Sequence, residues 1–212
     1  MIDIKMFTFN PVEENTYLLC NEDKQCCIID PGCYTDDERR ILQDHIMKNE
    51  LRPTLMLNTH CHFDHVFGNK FIHDTYGLSL QIHEKEKIML EYASRSASGY
   101  GLDFISYEGP VQFIAENDII RLGEDELKVL FIPGHSPGHI VFYCEKQGFV
   151  IGGDVLFKNS VGRTDIPFGD FDQLISGIRS KLFTLPDETV VYPGHGGETT
   201  VGEEKKYNPF LT

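Results

Sequence analysis

The sequence has no long basic run, no apolar stretch long enough to cross a bilayer, and no cysteine pairs at metal-finger spacing. Each absence removes a class of function. Without a Lys/Arg stripe, and with 33 acids against 19 bases for a net charge of −14, nucleic acid is an improbable partner. Without a membrane-length apolar segment, no spanning helix and no membrane partner are expected. The start, Met1-Ile2-Asp3-Ile4-Lys5-Met6-Phe7, lacks the basic-then-apolar pattern of a secretory signal. The six cysteines (Cys20, Cys26, Cys27, Cys33, Cys61, Cys144) are not arranged as a disulfide framework, which a chain of 212 residues does not need. A reducing cytoplasm is the expected compartment.

What is present reads as one globular α/β domain spanning residues 1–212. Strand-length apolar runs occur at Tyr17–Cys20, Cys26–Ile29, Thr54–Leu57, Leu78–Ile82, Leu127–Ile132, Ile140–Cys144, Phe149–Ile151 and Val190–Tyr192. Helical spacing runs through Asp36–Lys48, Val66–Tyr76, Lys85–Ala93 and Phe171–Phe183, with Asp36 and Asp170 as candidate N-caps. The Gly/Ser-rich segment Ser94–Pro110 suits a long loop, and a lid over a pocket is one use for it.

Four strands run straight into residues that bind metals. Thr54–Thr59 leads to His60-Cys61-His62-Phe63-Asp64-His65, and Lys128–Ile132 leads to Pro133-Gly134-His135. Phe149–Ile151 leads through Gly152-Gly153 to Asp154, and Thr189–Tyr192 leads to Pro193-Gly194-His195. Carboxyl ends of strands, next to glycines that permit close backbone approach, are where α/β proteins build sites. In His60-x-His62-x-Asp64 the alternate positions of an extended stretch point one way, leaving His65 to turn elsewhere. Packing so many ionisable groups together is costly without a cation, and the crowding favours two ions over one. Imidazole and carboxylate donors suit zinc first, with iron or manganese compatible. Isolated histidines (His45, His73, His83 and His139) read as ordinary core or surface side chains.

The combination Thr59-His60-Cys61-His62-Phe63-Asp64-His65, Pro133-Gly134-His135, Asp154 and Pro193-Gly194-His195 resembles the metallo-β-lactamase superfamily over nearly the whole chain. Gly153-Asp154-Val155-Leu156-Phe157, then Gly162-Arg163-Thr164-Asp165 and Asn208-Pro209-Phe210-Leu211, are similar to its short glyoxalase II-like branch. The resemblance implies a four-layer αβ/βα sandwich with metals at one edge of two sheets. It further implies that His60, His62 and His135 hold one ion, that Asp64, His65 and His195 hold the other, and that Asp154 bridges them. Asp30, in Ile28-Ile29-Asp30-Pro31-Gly32, matches an acidic motif whose role is to support the ligands.

The implied activity is hydrolysis of a small thioester of the S-lactoylglutathione type by a metal-bridging hydroxide. Asp64 and Asp154 are the catalytic candidates, and Arg163 and Lys158 are candidates for a substrate carboxylate. Gly196–Tyr207 leaves no space for the helical glutathione-binding domain of longer glyoxalase II proteins, so none is expected. Three alternatives remain: a persulfide dioxygenase with one iron on His60, His135 and Asp154, a lactonase, and a binding module without catalysis.

Overall fold

The computed structural model describes residues 1–212. Strands β1 (Asp3–Phe9), β2 (Glu14–Cys20), β3 (Gln25–Ile29), β4 (Arg52–Leu57), β5 (Leu80–Ile82) and β6 (Val111–Phe113) form one sheet in that order. The second sheet uses β7 (Ile119–Leu122), β8 (Asp125–Phe131), β9 (Ile140–Cys144) and β10 (Phe149–Gly153). A two-strand ribbon, β11 (Leu156–Phe157) and β12 (Ser160–Val161), follows. Strands β13 (Val190–Pro193) and β14 (Thr199–Thr200) complete the second sheet, whose order is β14-β13-β10-β9-β8-β7.

Period-two alternation assigns each strand residue to one of three cores. Leu18, Cys26, Ile28 and Met56 face outward from the first sheet, packing with Leu42, Ile72, Met89 and Ala93 of the helices. Their chain neighbours Tyr17, Leu19, Cys27, Ile29 and Leu57 face inward, against Val129, Ile140, Phe142 and Ile151 of the second sheet. The outer face of that sheet, with Val141, Tyr143 and Val150, packs on Leu174, Ile178 and Val201. Both sheets are therefore covered on both faces, which gives four layers, α/β/β/α. Full burial of each large apolar side chain stabilises the fold by about 1.5–3 kcal/mol.

The helices are α1 (Asp36–Lys48), α2 (Phe63–Val66), α3 (Asn69–Tyr76), α4 (Lys87–Gly99), α5 (Phe171–Ser180) and α6 (Val201–Tyr207). None is long and apolar enough to cross a membrane. The bounds expected for α1 hold, but its cap is Thr35, which accepts from Glu38 N while the Glu38 side chain returns to the Thr35 backbone. Asp170 caps α5 as expected, accepting from Gln173 N, and the helix stops at Ser180 before a 3-10 turn.

Two expectations need correction. The helix read as Val66–Tyr76 is broken at Phe67-Gly68, because Gly68 N donates to Pro31 O at 2.7 Å and a side chain there would collide with the Pro31 backbone. The loop read as starting at Ser94 starts only after Gly99. Ala93 and Ala97, four residues apart and both buried, hold that last stretch of α4 against the core, so packing overrides the weak helix propensity of Ser and Gly.

Candidate metal centre

The site lies where strands of both sheets end on the same edge. Strands β3 and β4 are parallel, as are β10 and β13, so their carboxyl ends point together. The two sheets are tied there by Ile140 N donating to Thr59 O at 2.9 Å and Asn15 N donating to Gly194 O at 2.7 Å. Tyr17 OH also donates across the sheets, to Pro193 O at 2.6 Å.

Six of the seven expected ligands fall into two groups whose donor atoms lie within 4.8 Å of one another: His60 with His62 and His135, and Asp64 with His65 and His195. Asp154 stands between them. Its Oδ2 is 3.5 Å from His135 Nε2 and 3.6 Å from His195 Nε2, and its Oδ1 is 3.5 Å from His65 Nε2. Gly153, at φ 48°, makes the turn that delivers this carboxylate, and a side chain there would run into His139. Asp64 and His65 reach the cluster from a helical turn, α2, whereas an extended stretch was expected through Asp64. Backbone bonds such as His65 N to His62 O, at 3.0 Å, close that turn and swing Asp64 towards His195, 3.1 Å away.

The donor set fits divalent ions on its own geometry. His60 Nε2, His65 Nε2 and Asp154 Oδ1 are buried and have no hydrogen-bond partner, a costly state unless a cation takes the lone pairs. Ligands about 2.1 Å from a tetrahedral ion stand about 3.4 Å apart. The contacts of 3.5 Å from Asp154 to His135 and to His65 match that spacing.

Burial, reinforced by neighbouring imidazoles, holds His60 well below the ordinary histidine range, and brings His62 down to about 3. Burial also lowers His135. Lowered pKa values favour the neutral rings that can ligate a metal, and His62 Nδ1 meets His135 Nε2 at 2.8 Å. His65 moves the other way: burial alone would lower its pKa, but the Asp64 and Asp154 carboxylates raise it well above the ordinary value. His195 is raised too, by its bond to Asp64 and by Asp154, against the effect of burial. Both carboxylates sit below their ordinary range, since the imidazoles outweigh desolvation.

Supporting groups fix the rings. Asp30, in the left-handed region at φ 50°, accepts from Thr59 N at 2.7 Å, Thr59 Oγ1 at 2.6 Å and Asn58 Nδ2 at 3.1 Å, and its Oδ2 meets His65 Nδ1 at 3.1 Å. His135 Nδ1 faces Arg163 O at 2.8 Å, and His195 Nδ1 faces Val12 O and Glu13 O at 3.1 Å. Second-nitrogen contacts of this kind select the tautomer and the aim of a metal ligand.

Three further groups escaped the sequence reading. His139, taken there for an ordinary core residue, stacks on His60 at 4.7 Å and accepts from Asp154 N at 3.0 Å. Buried Glu86 accepts from Cys61 N and Gly138 N and from Ser136 Oγ, joining the loops that carry His60 and His135. Buried Glu14 lies 3.9 Å from His65 Nδ1. The closeness of His139 to the Pro133-Gly134-His135 motif was the one signal available.

A cavity of about 750 Å³ opens over His62, Asp64, His135, Asp154 and His195, walled by Phe63, Met89, Tyr92, Tyr100, Phe157 and Val161. Arg163 lines it, with its guanidinium paired to Asp165 at 3.0 and 3.3 Å. Lys158 does not join them. It lines a separate cavity beside Glu198, Glu203 and Tyr207, because the β11–β12 ribbon turns its segment away.

The model of the Metallo-beta-lactamase superfamily matches residues 9–195. The chain belongs to the metallo-β-lactamase superfamily. Within this superfamily it is 36% identical to hydroxyacylglutathione hydrolase GloC of Haemophilus influenzae, over 99% of this chain and 98% of the relative. Among solved structures it is similar to BLEG-1 B3 metallo-beta-lactamase, at 34% identity and a TM-score of 0.91 over 99% of this chain and 100% of the other. TTHA1623, solved in a di-iron-bound form, is 37% identical with a TM-score of 0.88, over 98% and 100%. The superfamily fold is thus the one expected, and the chain is a metallo-hydrolase of that superfamily.

Proposed function

We propose that the chain hydrolyses small thioesters of the acylated-thiol class, with two divalent ions held by the seven residues. The observation that carries this reading is Asp154, whose two oxygens face both ligand groups at the floor of an open cavity. His60, His62 and His135 would hold one ion, Asp64, His65 and His195 the other, and Asp154 both. When bound, such ions supply Lewis acidity and a water whose pKa falls to about 7.

The chain's own groups do the rest. Asp64, whose side chain is 11% exposed, reaches the cavity and orients the attacking water by accepting its hydrogen bond. Asp30 and the backbone acceptors at His135 and His195 keep the imidazoles aimed, so little reorganisation accompanies reaction. The apolar wall of Phe63, Met89 and Phe157 excludes water from the acyl group, and Arg163 stands at the wall as a partner for a substrate anion. A thiolate leaves without a dedicated proton donor. The GloC relative supports this substrate class. Zinc fits the donor set, and the di-iron form of TTHA1623 supports iron as the alternative.

The test is metal analysis of the purified protein alongside a panel of S-lactoylglutathione, simple acyl thioesters, a lactone and a β-lactam, with thiol release or ring opening followed. Metal-dependent thiol release is expected. Oxygen consumption with glutathione persulfide, and no thiol release from any thioester of the panel, would replace this reading with the mononuclear iron dioxygenase on His60, His135 and Asp154.

A further inference from the structure

The charges lining the cavity differ from those of the rest of the chain. In a protein of net charge −14, the only charged lining groups outside the ligand set are two arginines, Arg95 and Arg163. Arg163 is already paired with Asp165, and would meet a substrate anion only by sharing or leaving that carboxylate. Arg95 has no hydrogen bond and no ion pair; its guanidinium lies 5.7 Å from the ring centre of Tyr92, which lines the same cavity. Met89, Tyr92, Ser96 and Gly99 also line it, and their spacing of three and four residues puts one face of α4 along the wall, with Arg95 on it.

An uncommitted guanidinium on a rigid helix, held beside an aromatic face, is a receptor for a carboxylate. It is solvent-exposed at the cavity wall and offers a planar pair of donors. Divalent ions at the floor would draw an anion into the cavity, and Arg95 adds a directional partner on its wall. We propose that Arg95 anchors a free carboxylate of the substrate, making it a specificity residue for small anionic thioesters. The inference rests on the thioester reading above and sharpens its substrate class.

Three thioesters test it: S-acetyl-N-acetylcysteamine, which is neutral, S-acetyl-3-mercaptopropionate, with the carboxylate on the thiol side, and S-succinyl-N-acetylcysteamine, with it on the acyl side. Arg95→Gln should lower the preference for a charged over the neutral thioester about 10-fold or more, through KM and not kcat, and Arg95→Lys should recover part of it. Which charged thioester responds tells on which side of the scissile bond the carboxylate sits. Calorimetric titration with the unreactive thioether 3-(methylthio)propionate reads the same contact without turnover, and should show binding to wild type that weakens in Arg95→Gln. If wild type cleaves no thioester yet binds the thioether acid through Arg95, the thioester reading fails and the anion anchor stands. Unchanged preference and unchanged thioether affinity in a folded Arg95→Gln protein, or no binding to wild type at millimolar concentration, overturns the proposal.

Discussion

Gly194 sits behind the carboxylate that joins the two ligand groups, and replacing it with alanine is a sharp test of how closely the cluster is built. A Cβ placed there would lie 2.7 Å from His65 Cε1 and 3.2 Å from Asp154 Cγ, and nearer still to Asp154 Oδ1. Carbon atoms in contact prefer about 3.5 Å or more, so the imidazole and the methyl must separate by roughly 0.8 Å. The backbone cannot easily yield, because Gly194 N donates to Gly153 O at 2.8 Å and Gly194 O accepts from Asn15 N at 2.7 Å. The side chains of His65 and Asp154 must therefore move. A displacement of about 1 Å at a reacting centre costs on the order of 100-fold in rate. We expect Gly194→Ala to lose about two orders of magnitude in turnover and to bind fewer ions, read by thiol release and by elemental analysis of the same sample. Gly197→Ala, where the added carbon meets nothing within 4 Å, serves as the control. A Gly194→Ala protein with both ions and wild-type turnover would refute the placement of Asp154 between the two groups.

Asp30→Asn removes the charge facing His65 Nδ1 while keeping the side chain's size, and should weaken metal affinity about 10- to 100-fold in competition with a chromogenic chelator. On acidification from pH 7, the group of Asp64, His65 and His195 should empty first. Its raised histidines keep their protons to higher pH, whereas His60, His62 and His135 are held neutral, so metal content should step from two ions towards one; simultaneous loss of both would contradict the assignment. The metal-free protein should lose stability to denaturant as pH falls below about 6.5. Six histidines with depressed pKa (His45, His60, His62, His83, His135, His139) take up protons more readily once unfolded, outnumbering the two buried acids with raised pKa, Glu14 and Glu86, the latter pushed up to about 7, which act in the opposite sense. Chelation should lower the melting temperature in calorimetry: an ion free at 1,000 times its Kd stabilises by about 4 kcal/mol, roughly 8–16 °C for a domain of this size.

The central strands were legible from the apolar runs Tyr17–Cys20, Cys26–Ile29, Leu55–Leu57, Ile140–Cys144 and Phe149–Ile151, and the candidate ligand motifs follow β4, β8, β10 and β13. Edge strand β1, largely exposed and interrupted by Lys5 and Thr8, carries no such pattern, and β6, β11, β12 and β14 are too short to show periodicity. The break between α2 and α3 is set by Pro31, some 37 residues before Gly68, a contact that local sequence cannot encode. Glu14, Glu86 and His139 look like ordinary polar residues in linear order. What makes them structural is a set of donors and rings from distant loops, such as Cys61 N and Gly138 N for Glu86. Arg95 was hidden for a related reason, since its Ser/Gly-rich surroundings read as a loop until packing showed them to be helix.

The division of the candidate ligands between the sheets gives the site a second consequence. His60, His62, Asp64 and His65 all follow β4 of the first sheet, whereas His135, Asp154 and His195 follow β8, β10 and β13 of the second. Each ligand group therefore takes two residues from one sheet and one from the other, and Asp154 reaches both groups from the second sheet. Without a cation, the buried unpartnered atoms His60 Nε2, His65 Nε2 and Asp154 Oδ1 stand at the seam between sheets, so the cost of leaving them unpaired falls on the inter-sheet contact itself. An ion taking those lone pairs would offset that cost and fasten the sheets together at the one edge where the cavity opens. Binding and inter-sheet packing are thereby linked: whatever loosens the middle core, built around Tyr17 and Phe142, should lower metal affinity without touching a ligand.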